Sequence, residues 1–134
     1  MAYPITDIRG IGPDTAALLK SEGIRTTIGL LRSAKTPKQR LKLAEMTRTN
    51  SERILGWVTA ADRMRVKGVG WEYSELLRAV GVKTVNELKF RNPEHLVDKM
   101  REANKRNLVR LLPKKRTVER WIESAKKLPT IIRY

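Results

Sequence analysis

The chain carries one pattern twice, and that repeat restricts its fold more than any other feature. At an offset of 58 residues Ile8 meets Val66, Gly10 meets Gly68, Ile11 meets Val69 and Gly12 meets Gly70. The register continues with Leu18-Leu19 against Leu76-Leu77, Gly23-Ile24 against Gly81-Val82, Thr26 against Thr84 and Leu30 against Leu88. Thr36-Pro37 answers Asn92-Pro93 at an offset of 56. At an offset of 64, Ile54, Trp57, Val58, Ala61 and Met64 answer Val118, Trp121, Ile122, Ala125 and Leu128. Those five positions fall on one helical face. The expectation is a duplicated helical unit, residues 1–64 and 65–134. The offset grows from 56 to 64, so the second copy gains eight residues, within about 99–117.

Local signals point to helices nearly throughout. Pro13, Pro37 and Pro93 suit the first helical position, and Thr36 and Asn92 precede two of them as N-caps. Gly23 and Gly81 read as helix stops, with new helices from about Thr27 and Val85. Asn50 or Ser51 starts a long helix to about Val66, and further helices are expected near 93–103, 104–112 and 117–127. No alternating run suggests a sheet. The tail from Leu128 should be extended, with Ile131-Ile132 packing on the domain or on a partner chain. Trp57 and Trp121 could stack on bases, but their place on the apolar stripe favours paired core anchors.

The repeated R-G-I-G and K-G-V-G carry the functional argument. Two glycines allow a sharp turn between helices, including at positive φ, and Ile11 and Val69 between them are apolar pegs. Gly12 and Gly70 then stand at helix N-termini, where unpaired amides favour an anion. A phosphate could be held there by main-chain atoms without base reading. The plainer reading is a tight helix connection and nothing more. Asp14 and Glu72 in the first turns suit the helix dipole but repel phosphate. Trp71 and Tyr73 flank Glu72 and could stack on nucleic acid, cap a protein interface or pack on a neighbouring helix.

Charge supports a polyanionic partner. The formal net charge is +15, from 29 Lys and Arg against 14 Asp and Glu. Residues 1–64 carry 11 basic and 6 acidic groups, and residues 65–134 carry 18 and 8. Lys99 to Arg116 alone has eight basic residues and one acid. Nucleic acid is the first candidate, an acidic protein the second. The chain has no cysteine, which excludes disulfide and thiolate chemistry, and its single histidine argues against zinc. His95 beside Glu94 reads as an exposed polar side chain, since adjacent helical positions do not face each other. The glycine loops lack a P-loop ending, so no enzyme is expected. No apolar run of membrane-spanning length and no leader pattern suggest a cytoplasmic protein, at the nucleoid if it binds DNA.

The paired motifs resemble the helix-hairpin-helix superfamily over both halves. More narrowly, D-I-R-G-I-G, R-V-K-G-V-G, G-V-K-T-V-N-E-L, R-N-P-E-H-L and V-E-R-W-I-E-S-A-K-K-L are similar to an uncharacterised bacterial family, domain of unknown function 4332. The wider resemblance implies an all-α fold with two pseudo-symmetric helix-hairpin-helix repeats in one chain, a SAM-domain-like arrangement. It implies non-specific binding of duplex or branched DNA through hairpin amides. Some relatives hold a monovalent cation at the hairpin, the one cofactor that the resemblance allows. This chain lacks the Lys or Arg usual in the turn after the second glycine.

The expected function is sequence-independent nucleic-acid binding, DNA preferred. The expected contacts are Lys67, Gly68 and Gly70 with Lys105, Arg106, Arg110, Lys114, Lys115 and Arg116. Arg9, Gly10 and Gly12 join them from a first hairpin that is expected to be mainly structural. Arg65, just before the second turn, could also touch a phosphate. A protein-interaction adaptor or self-associating scaffold is the alternative, and RNA or ribosome binding is the third reading.

Overall fold

Capping side chains set most of the helix starts. Gly12 precedes α1 (Pro13–Ser21), and the Thr26 hydroxyl accepts the Gly29 amide to open α2 (Thr27–Ser33). Thr36 and Gln39 close a capping box at α3 (Pro37–Met46), and Asn50 accepts from Arg53 at α4 (Ser51–Met64). Gly70 precedes α5 (Trp71–Ala79), Thr84 and Glu87 form a second capping box at α6 (Val85–Leu88), and Asn92 caps α7 (Pro93–Ala103). The last helix, α8 (Lys115–Lys126), begins after Lys114 with no side-chain cap. Caps of this kind contribute about 1 kcal/mol each. Gly23 and Gly81, at φ 81° and 87°, stop α1 and α5.

The computed structural model describes residues 2–134. Among the described residues the chain is all-α, with eight α-helices, two short 3-10 turns and no strand. One isolated antiparallel bridge joins Pro4 and Thr26. The helix expected over 104–112 does not form. A 3-10 turn at Asn104–Arg106 ends in Asn107 at φ 55°, and the chain then runs irregularly to Lys114. The Asn104 carboxamide accepts the Val109 amide at 3.0 Å. A short polar side chain thus bonds the backbone in place of a helical carbonyl.

The apolar residues gather into two clusters that follow the halves, except that Ile132 joins the first. Ile5, Leu19, Leu30, Ile54, Trp57 and Met64 belong to the first, and Val69, Leu77, Leu88, Leu96, Val118 and Trp121 to the second. Every residue from Trp57 to Val66 is buried, including Asp62, Arg63 and Arg65. Polar groups here join the halves. Arg63 Nε donates to the Ser74 carbonyl at 2.9 Å and to its hydroxyl at 3.0 Å, and Nη1 donates to the Lys83 carbonyl at 3.0 Å. Burial lowers the Arg63 pKa to about 10, although Glu75 opposes the shift. The Asp62 carboxylate accepts the Val85 amide at 2.9 Å and Arg65 Nε at 2.9 Å. Its pKa is nonetheless raised, because desolvation outweighs these partners. An unpaired buried charge costs several kcal/mol, so these bonds are what make the junction tolerable.

The tail from Pro129 has no regular secondary structure and returns to the first half. Ile132 is buried in the first cluster, and the Arg133 amide donates to the Lys35 carbonyl at 2.8 Å. Arg40 donates to the Arg133 carbonyl at 2.7 Å, and Arg65 donates to the Pro129 carbonyl at 2.6 Å.

Candidate nucleic-acid interface

Each glycine turn is shaped by a tryptophan from its own half. A Cβ added at Gly10 would lie 2.8 Å from Trp57 Nε1, and one at Gly68 would lie 3.4 Å from Trp121 Nε1. The indoles are 7% and 2% exposed, so both tryptophans are core anchors and not stacking platforms. Positive φ is needed only in the second turn, where Gly68 has φ 90°. Gly10 has an ordinary φ, and what it requires is the close approach of the ring. Ile11 and Val69 are buried pegs, and their amides donate to Ile8 and Val66 at 2.9 and 3.0 Å.

Gly12 and Gly70 face open space. No atom lies within 4 Å of a Cβ built at Gly12, and only the Tyr3 hydroxyl is reached, at 4.0 Å, from Gly70. Neither helix start has a side-chain cap. Pro13 removes one amide from the first turn of α1, whereas α5 begins with Trp71 and keeps it. The second turn is therefore the better donor site.

A cleft of about 830 Å³ opens beside Gly68. Lys67, Arg116, Arg120 and Lys127 line it, with Glu119 and Glu123 among them. Arg116, Arg120, Glu123 and Lys127 are spaced 4, 7 and 11 along α8, which places them on one stripe. Val118, Trp121, Ile122 and Ala125 form the buried face of that helix. Arg120 and Lys127 were not among the expected contacts, although their helical spacing was legible. At an offset of 64 the first half has Glu52, Gly56, Thr59 and Arg63 in these places. Thr59 and Arg63 are buried. The basic stripe therefore has no counterpart in the first half.

A second groove, about 460 Å³, meets the cleft at Gly68. It brings Arg9 and Asp7 of the first half beside Gly70, Trp71 and Glu72 of the second. Lys105 and Arg106 line a third opening with Lys99, which shares no residue with the cleft. Arg110 and Lys114 are exposed but line none of the three, nor do Gly10 and Gly12. Lys115 bonds the Glu94 carboxylate at 2.8 Å. That contact holds Glu94 below the ordinary carboxylate range and raises Lys115. Arg65 departs from expectation: it is buried against Asp62 and Pro129, because its guanidinium serves the junction. Trp71 packs on the first apolar cluster, and Tyr73 lies 5.1 Å from Trp121, tilted at 55°.

His95 is exposed. Among the described residues no group of three or more His, Cys, Asp or Glu could hold a metal ion. A monovalent cation at a hairpin would have to use main-chain carbonyls. Those of Ile8, Gly12, Val66 and Gly70 already accept one amide each. No helix among the described residues is long and apolar enough to cross a membrane.

One family model, described as "Domain of unknown function (DUF4332)", matches residues 9–128. No curated protein matches the chain, and no solved structure does.

Proposed function

We propose that this chain, which belongs to the family described as domain of unknown function (DUF4332), is a non-catalytic, sequence-independent nucleic-acid-binding protein that prefers DNA. In this reading its halves are two pseudo-symmetric helix-hairpin-helix copies. The matched Gly10–Trp57 and Gly68–Trp121 contacts and the matched buried pegs support that view. The copies have diverged, so that the second binds and the first serves chiefly as scaffold.

The observation that carries the reading is the cleft beside Gly68, where Lys67 from the turn faces Arg116, Arg120 and Lys127 from α8. Phosphates would lie against these cations, with the α5 amides as position-setting donors. Such contacts neutralise charge and fix register but carry no base information. Lys115 contributes less than its neighbours, because Glu94 already pairs with it.

The test compares two triple variants of equal charge. Lys67→Ala/Arg116→Ala/Arg120→Ala empties the cleft, and Lys20→Ala/Arg32→Ala/Lys38→Ala removes three exposed cations from the first half. Fluorescence anisotropy on duplex DNA at several salt concentrations should give the cleft variant at least about tenfold weaker binding. Its log–log salt slope should be shallower by about 2–3, one unit per lost phosphate contact. Equal weakening by both variants would leave only diffuse attraction by net charge. Tighter binding of RNA than of duplex DNA would move the reading to RNA.

A second reading, protein adaptor, draws on Phe90 and Leu111, which are 78% and 74% exposed. It prevails if the protein binds neither nucleic acid at low salt yet captures one acidic protein.

A further inference from the structure

The segment that holds the extra residues gives Arg116 and Thr117 to the cleft. It also lines a separate opening of about 530 Å³, with Lys99, Lys105 and Arg106 beside Ala79 and Val80. Glu102 is the one acid in its lining and already pairs with Lys105 at 3.0 Å. This opening sits at the C-terminal end of α5, whereas Gly68 and Gly70 adjoin its N-terminal end. The helix has nine residues, about 14 Å of axis at 1.5 Å per residue. The two cationic sites are therefore held at opposite ends of a packed helix, and an acidic residue, Glu72, stands in its first turn.

We propose that the opening formed by Lys99, Lys105 and Arg106 is a second, independent phosphate site, so that one chain holds two nucleic-acid segments at once. The inference rests on the nucleic-acid reading of the cleft. It gives a role to Lys99, Lys105 and Arg106, which the cleft does not use. Two sites on one rigid body bridge separate duplexes when both are occupied, and neither site needs the other for a single duplex to bind.

The test uses the full chain and two unrelated duplexes, one tethered to beads and one fluorescent in solution. Wild type should bind a single duplex by anisotropy and also carry the fluorescent duplex onto the beads. Lys99→Ala/Lys105→Ala/Arg106→Ala should bind a single duplex within about threefold of the charge-matched first-half variant, yet capture at least about tenfold less of the second duplex. These side chains are exposed, so circular dichroism should be unchanged. Undiminished capture by the pocket variant overturns the proposal. So does a loss of single-duplex affinity that matches the loss of capture, which would mean one extended surface. Wild type that binds one duplex but captures no second overturns it and leaves the cleft reading standing. Wild type that binds no duplex at all sinks both.

Discussion

Alanine at Gly10, Gly12, Gly68 and Gly70 should separate packing from binding. At Gly10 the new Cβ would stand 2.8 Å from Trp57 Nε1, against roughly 3.5 Å for a comfortable contact. Trp57 is 7% exposed and cannot swing away, so the ring or the turn must shift. Overpacking of this kind costs about 1–3 kcal/mol, less about 0.5 kcal/mol regained because the unfolded chain is stiffer. At Gly68 the φ of 90° is itself unfavourable for alanine, by about 1–2 kcal/mol, and Trp121 Nε1 at 3.4 Å adds to it. Gly12→Ala and Gly70→Ala meet open space at φ −79° and −90°. Their stability should stay within about 0.5 kcal/mol of wild type, since the weaker N-cap offsets the entropy gain. Urea denaturation followed by circular dichroism would measure all four. Each lost kcal/mol should lower the melting temperature by about 3–5 °C for a chain of this length. Gly70→Ala should still bind duplex DNA several-fold more weakly, with an unchanged salt slope, because it obstructs amides and removes no charge. If Gly10→Ala is as stable as wild type, or Gly12→Ala is as damaged as Gly10→Ala, the tryptophan contact is not what the first glycine serves.

Trp57→Ala and Trp121→Ala should each cost about 3–5 kcal/mol in urea melts, because both indoles fill the cores of their halves. Ile132→Ala should cost about 2–3 kcal/mol, although it lies two residues from the last; a change under about 0.5 kcal/mol would mean that the tail does not hold the first half. Burial raises the Asp62 pKa above its ordinary 3.8. The folded state then binds that proton more tightly than the unfolded state does. Its stabilising contribution is complete below about pH 4 and is lost as pH rises through the folded value. Asp62→Asn cannot titrate, so a plot of stability against pH should lose that downward component; identical slopes for both proteins would refute the assignment.

The caps at Thr36, Asn50 and Asn92 and the stops at Gly23 and Gly81 could be read directly, because each depends on neighbours within a few residues. Where competing local bonds exist, the reading failed: Asn104 and Asn107 broke a segment whose pattern looked helical. The cleft was half legible. Lys67, Gly68 and Arg116 stood out by motif and charge density, while Arg120 and Lys127 needed the helical stripe of α8 to be drawn out.

What the sequence determined by itself is thus the all-α class and the excess of positive charge in residues 65–134. These follow from periodicity and composition, which act locally or in bulk. Only the tertiary structure decided which cations work together. It buried Arg65 against Asp62, paired Lys115 with Glu94 and set Arg9 beside the second turn. It also parted Lys105 and Arg106 from the cleft by the length of α5. A charge carries no record of its partner in the chain, because the partner is brought near by packing of apolar faces elsewhere.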